Sequence, residues 1–298
     1  RRFGVVQETS TGKTKVRCID DFAASGVNDT TSVRKRISAG RVTRLVESSR
    51  VLAETRPQDR QLLLKSDFKG AYRTCPIAAD HLDFTFVAVR DPKSHAVRLS
   101  RQFAMPFGAV GAVYAWDRVA EFIVEVLRRE FALPIERYVG DIFLVDFADT
   151  AEFARDIMIE VVEAFGLFLE PAKTPEPSTT MVILGVRVEL EATKGAPSFV
   201  RLALDEDKRR VWLRQCASEM NQSETERFLG PMEFAASAVF GPFPRSHLSS
   251  LYAFVHGKSA DGFAKDLQWI REFLARNPSR VVQLVGRPDP WVVYSDAE

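Results

Sequence analysis

At 298 residues, 46% hydrophobic and 27% charged, the chain has the balance of an ordinary globular protein, with room for a large core and, on length, about two domains. No apolar run reaches the ~18 residues of a membrane span and no secretory leader opens the sequence, so an intracellular protein, cytoplasmic or nuclear, with no membrane partner is expected. The net charge of +1 is uneven: residues 1–50 carry eleven Lys/Arg against five Asp/Glu and the remainder 30 against 35, which equips the first lobe for phosphate contacts.

Cys18, Cys75 and Cys216 are too few and too scattered for a disulfide framework or a zinc site, and they point to a reducing compartment. His81, His95, His247 and His256 show no metal-binding spacing. Arg1 at the start and the strand-like "WVVYSDAE" at the end lead us to expect a segment of a longer polypeptide.

In chain order, "RRFGVVQETSTGKTKVRCIDDF" predicts two strands around a polar turn at Thr9–Lys13. Its "TGKT" is not a phosphate loop, because Gln7 stands where that motif needs glycine. After the cap sequence Asn28-Asp29-Thr30, the residues Val33, Ile37, Val42, Leu45 and Val46 predict a broken helical stripe bearing Arg34, Lys35, Arg36, Arg41 and Arg44. "QLLLKSDF" (61–68) predicts a strand ending in an acid, and "DFTFVAVR" with "AVRLSRQFA" a hairpin around Asp91-Pro92. A helix is expected from Gly111 to Phe131, then the hairpin "ERYVGDIFLVD", a helix over 150–165 and the strand "MVILGVRVEL". From about Leu204 the pattern is mainly helical, broken at "FGPFPRS". Strands and helices alternate without a dinucleotide loop, which predicts an α+β fold.

The chemistry gathers in "LLLKSDFKGAYRTCPI" (62–77), where Asp67 ends an apolar strand and Tyr72 follows it, and in "MPFGAVGAVYAW" (105–116), a tight turn into a helix. With the acid-bearing hairpin these describe a polymerase palm, in which strand-borne carboxylates hold Mg²⁺ for phosphoryl transfer. With these motifs in this order, the chain resembles the reverse transcriptases of retroelements over nearly its whole length, leaning toward the tyrosine-recombinase or long-terminal-repeat types. The resemblance implies a right-hand fold. Fingers and palm on an antiparallel sheet take up 1–200, with the fingers at about 1–60 and 76–103, and a mainly helical thumb or connection follows over 201–285. The first strand of an RNase H-like domain over 286–298 would begin with the acid Asp296 and, being truncated, would have no nuclease activity.

On this resemblance Asp67 is the first catalytic acid and a metal ligand, with the Phe68 backbone carbonyl beside it, and Tyr72 is the aromatic that screens the sugar 2′ position. "PFGAVGA" (106–112) positions template and incoming nucleotide through Pro106, Phe107 and Gly108. "KVRCIDDF" (15–22) supplies Lys15 and Arg17 to grip the triphosphate, and Asn28 closes that segment. "FGLFLEPAKT" supplies Lys173 to assist departure of pyrophosphate, and "ILGVRV" (183–188) is the primer grip. The implied cofactors are two Mg²⁺ ions, with Mn²⁺ as substitute. The implied partners are an RNA or DNA template with its primer and deoxynucleoside triphosphates.

The family's hairpin reads Tyr-x-Asp-Asp, and the gap-free match is Tyr138-Val139-Gly140-Asp141. Gly140 replaces the first acid and Asp141 keeps the second. Asp146 cannot substitute, because six residues of strand place it roughly 20 Å away. A register slip bringing Asp141 to the metal would invert the strand's alternation. Gly140 itself suits a turn that needs a positive φ. Losing even an outer partner of a metal ligand costs about 10–100-fold, so losing a direct ligand is expected to cost more. The readings are an impaired RNA-directed DNA polymerase, a working one in which Asp67 and Asp141 suffice, an inactive primer–template binding module, or a decayed retroelement fragment.

Overall fold

Ile142, Phe143, Leu144 and Val145 are all fully buried, so the strand that carries them must be covered on both faces. That strand, β7 (Asp141–Phe147), is the centre of a three-stranded antiparallel sheet, flanked by β3 (Gln61–Asp67) and β6 (Glu136–Tyr138). The computed structural model describes residues 2–8, 14–32, 37, 40–91, 93–193, 196–216, 220–241 and 243–286.

On one face of the sheet, Leu64, Ile142 and Leu144 pack against α2 (Val110–Phe131) and α3 (Ala151–Ala164), through Trp116, Ile123, Leu127 and Met158. The buried positions of α2 recur every three or four residues, as the sequence spacing predicts. On the other face, Leu63, Phe143 and Val145 meet Val42, Leu45 and Val46 of α1 (Val42–Thr55). This second core continues into a four-stranded antiparallel sheet of β8 (Thr180–Ile183), β9 (Val186–Thr193), β10 (Ala196–Leu204) and β11 (Ser279–Gln283). It also takes in α4 (Glu206–Gln215), α5 (Gln222–Ala235), α6 (Ser249–Val255) and α7 (Phe263–Ala275).

Two hairpins complete the described chain: β1 (Arg2–Glu8) with β2 (Thr14–Asp20), and β4 (Phe86–Arg90) with β5 (Val97–Arg101). The expected turn between the first pair lies outside the described residues. Among the described residues no helix is long and apolar enough to cross a membrane. Cys75 and Cys216 are buried free thiols, the latter pushed up to about 12 chiefly by burial.

Three elements differ from expectation. "MVILGVRVEL" is two strands, because Leu184 and Gly185 both take positive φ and fold β8 back on β9. Of the expected stripe, Ile37 is not helical, Val42, Leu45 and Val46 lie on α1, and Val33 lies outside the described residues; Asn28–Thr30 forms a short 3-10 turn. Residues Arg34, Lys35 and Arg36 lie outside the described residues. The C-terminal part is helical with an exception that no local pattern announces: β11 returns to pair with β10, a strand that runs through position 200. The expected RNase H strand with Asp296 is outside the described residues.

Two ion-pair clusters tie these layers together. Arg137 of β6 is only 3% exposed and donates to Asp117 and, at 3.0 Å, to Glu121 of α2, which binds the hairpin to the helix behind it. Arg209 of α4 donates to Glu206 at 2.8 Å and to the Leu274 carbonyl at the end of α7 at 3.1 Å. Replacing Arg137 by alanine strands two acids beside an apolar layer. The expected cost, read by urea denaturation, is about 2–3 kcal/mol, toward the low end for a buried pair because both acids keep some solvent. Hydrogen bonds from Arg209, then Arg210, hold the Glu206 carboxyl down to about 2. Because this value is depressed, its contribution to stability is complete above the ordinary carboxylate range and disappears as pH falls through about 2. Carboxyl NMR is expected to show that midpoint, and Arg209→Gln to return it toward 4.5; an ordinary midpoint in the parent protein refutes the assignment.

Candidate active site

The register of β3 with β7 pairs Asp67 directly with Asp141, and Lys65 with Phe143 two positions earlier. Paired residues of an antiparallel ladder project from the same face, as do residues two apart on one strand. Lys65, Asp67 and Asp141 therefore emerge together, into a cleft of about 890 Å³ that Lys173, Lys208 and Trp212 also line. Each lysine is anchored. Lys65 Nζ donates to the Val182 carbonyl at 2.6 Å, Lys208 Nζ to the Leu184 carbonyl at 3.3 Å, and Lys173 Nζ to Asp67 Oδ2. Burial, then the neighbouring Asp67, push the Asp141 carboxyl up, against the pull of Lys173, Lys65 and Lys208. Burial likewise pulls the Lys65 ammonium down, with Asp141 opposing it.

Lys173 reaches this place because its loop is zipped to the end of β3. Lys69 N donates to the Phe168 carbonyl and Glu170 N to the Asp67 carbonyl, each at 2.8 Å. Phe68 is buried edge-on against Trp116, ring centroids 5.0 Å apart, which holds the backbone beside Asp67.

The hairpin turn corrects two sequence expectations. Val139, not Gly140, takes the positive φ, at 55°. A β-branched residue is strained in that region. Its carbonyl is gripped by Trp116 Nε1 at 2.9 Å and by the Arg137 guanidinium at 3.3 Å. Gly140 is thus not required by the backbone. A Cβ built there meets Asp67 Oδ1 at 3.4 Å and Ala71 Cβ at 3.9 Å, so a side chain at 140 points at Asp67 without a clash. Nor does Asp141 need a register slip. It already faces Asp67 while the alternation of Ile142, Phe143, Leu144 and Val145 stays intact. Asp146 pairs with Leu62 at the far end of the strand, as its spacing predicted.

The remaining candidates form a second group beside the cleft. Tyr72 packs edge-on against Phe107 at 5.3 Å and Trp116 at 6.5 Å, and burial pushes its hydroxyl up. The turn Pro106–Gly108 docks on the end of β2: Asp20 N donates to the Phe107 carbonyl at 3.2 Å. Gly108 has φ 103°, and a Cβ there would lie 2.1 Å from the Asp20 carbonyl oxygen, so only glycine fits. Asn28 Nδ2 donates to the Gly108 carbonyl and Asn28 Oδ1 accepts from Val110 N, both at 3.0 Å, which caps α2 from a distance. Lys15 and Arg17 lie on β2, but their side chains are outside the described residues.

Among the described residues no group of three or more His, Cys, Asp or Glu side chains gathers. Asp67 and Asp141 bring two carboxylates to the cleft. Lys65 and Lys208 were not singled out from the sequence. The signal for Lys65 was available, since it stands two residues before Asp67 on one strand face. Lys208 comes from a helix that only tertiary packing brings to the cleft.

No protein-family model matches the sequence, and no curated protein is similar to it. Solved structures are. The fold is similar to the foamy viral protease-reverse transcriptase dRH in complex with double-stranded DNA, with 14% identity and a TM-score of 0.61 over 92% of this chain and 43% of that one. It is similar to the foamy viral protease-reverse transcriptase in complex with an RNA/DNA hybrid, at 15% identity and a TM-score of 0.61, over 91% of this chain and 33% of that one. A further complex of that protein with double-stranded DNA gives 16% identity and a TM-score of 0.56 over 93% and 52%. The chain thus spans between a third and about half of these neighbours. Mixed helices and antiparallel sheets on this scaffold make a reverse transcriptase-like fold.

Proposed function

We propose that this chain is an RNA-directed DNA polymerase domain of a retroelement polyprotein, built for nucleotidyl transfer to a primer 3′ end and impaired by Gly140. The observation that carries the reading is the Asp67–Asp141 pair, set across the β3/β7 ladder and open to the cleft. The solved neighbours are described as complexes with double-stranded DNA and with an RNA/DNA hybrid, which supports a primer–template as partner. In this reading fingers and palm occupy residues 1–200 and a thumb or connection 201–285, with deoxynucleoside triphosphates as substrates.

Asp67 and Asp141, with the Phe68 carbonyl, would hold Mg²⁺, or Mn²⁺ in its place. When bound, the ion supplies charge neutralisation at the attacking oxygen and the triphosphate. The chain's own residues do the rest. Tyr72, braced by Phe107, limits the space at the sugar 2′ position. The Pro106–Gly108 turn, clamped by Asp20 and Asn28, sets the height of the template base. Lys15 and Arg17, carried by β2, are in this reading the residues that grip the triphosphate. Lys173 neutralises the departing pyrophosphate, after exchanging its bond with Asp67 for one with phosphate. The missing carboxylate at 140 weakens metal capture without disturbing the scaffold, since the turn's strain rests on Val139.

Gly140 equally favours a second reading, a domain that binds primer–template through phosphate contacts and does not extend it. Binding of that kind weakens steeply with salt. Primer extension on an RNA template with Mg²⁺ and with Mn²⁺ separates the two. The parent is expected to be nearly silent, Gly140→Asp to gain at least about 100-fold, and Asp67→Ala to abolish the gain. Extension by the parent that is lost in Asp67→Ala overturns the impairment. Salt-sensitive duplex binding without extension in any variant selects the binding reading, and absence of both removes each.

A further inference from the structure

Helix α2 carries two apolar stripes, and the fold buries only one. Trp116, Ala120, Ile123 and Leu127 face the chain's own core. Ala115, Val119, Phe122 and Val126, spaced by four, three and four, line the flank beside it. Of these, Ala115 and Val126 are half-buried and Val119 is exposed, while Phe122 is 57% exposed. The exposed ring of Phe165 packs edge-on against Phe122, centroids 5.3 Å apart. An apolar groove of about 380 Å³ opens next to the stripe, between Val119 and Phe122 of α2 and Pro76, Met105 and Leu167 of the adjoining loops. A protruding ring thus stands beside an apolar hollow. A contiguous apolar patch of this kind marks a contact surface.

The charges along the stripe say what fits it. Its spacing places Val119 and Val126 at the a positions of a heptad and Ala115 and Phe122 at the d positions. Arg118 and Glu125 then share the g flank, seven residues apart and of opposite sign. The e flank is Trp116 and Ile123, both buried in the chain's own core, so it has no charge to offer a partner. Parallel helices pair g with e, which this helix cannot satisfy. Antiparallel helices pair g with g. When Val119 meets Phe122 of a second α2 and Ala115 meets Val126, each Arg118 comes opposite the other copy's Glu125. Among the described residues Arg118 has no ion pair of its own, and Glu125 is held only from within the helix, by Arg128 and Arg129 at 2.9 Å each. Complementarity of a surface to itself is what a two-fold contact requires.

We propose that this chain forms a two-fold dimer through antiparallel α2 helices, with Phe122 of each copy seated against Val119 and the groove of the other, and Arg118 paired with Glu125 across the axis. None of these residues lines the cleft of Asp67 and Asp141, so the dimer stands or falls apart from the polymerase reading.

Sedimentation equilibrium of the whole chain over about 5–300 µM tests this. A seam this short buries less surface than a permanent dimer, so a reversible equilibrium with a dissociation constant on the order of 10–100 µM is expected. Phe122→Glu is expected to weaken association at least about tenfold. Arg118→Glu sets acid against acid at both ends of the seam, and Glu125→Arg sets cation against cation. Each is expected to weaken association about fivefold or more, and the double variant to return to within about threefold of the parent. Circular dichroism checks the fold of each variant; if Phe122→Glu fails to fold, the charge reversals decide. A parent monomeric over the whole range overturns the proposal and leaves the stripe to a partner of different sequence. A dimer indifferent to folded Phe122→Glu, or a double variant no tighter than the single ones, overturns it as well.

Discussion

The antiparallel pairing of β3 with β7 is the constraint on which the rest depends. One register sets Asp67 opposite Asp141, aims Lys65 into the same cleft and leaves Leu63, Phe143 and Val145 for one core and Leu64, Ile142 and Leu144 for the other. A shift by a single residue would exchange the two faces and put the acids among apolar side chains. The hydrophobic demand of two cores thus holds the charged groups in place. Position at the site is a by-product of burial elsewhere.

The hairpin turn between β6 and β7 is held by a different device. A valine at positive φ is uncomfortable, and the structure meets it with two donors on one carbonyl, from Trp116 and Arg137. Arg137 is in turn fixed by Asp117 and Glu121 on α2. The helix that follows the Pro106–Gly108 turn therefore shapes the hairpin turn from behind the sheet. Asn28 and the end of β2 secure the start of that helix. Conformation at Val139 is determined at a distance, and position 140 has no positive φ that would require glycine.

That freedom decides how the glycine is to be understood. Were it carrying the positive φ, an aspartate there would strain the turn, and the chain would have exchanged chemistry for geometry. Its Cβ direction is open and faces Asp67, so an acid at 140 would add charge without straining the turn.

The strands, the long helix α2 and the acid at the end of β3 were legible in the sequence, because periodicity and turn residues act over a few neighbours. The Leu184-Gly185 reversal was not read, since an apolar run continues across it and hides the break. Strand β11 and Lys208 could not be read locally, because each acquires its role from a partner far away in the chain, β10 in one case and the Leu184 carbonyl in the other. The sequence by itself determined which residues carry charge and which strands carry acids. Only the tertiary structure decided that Val139 bears the turn's strain, that Asp141 faces Asp67 without a slip and that three lysines converge there. The reason is that register, long-range hydrogen bonds and the sum of charges in a cleft are properties of packing between elements, and no local pattern contains them.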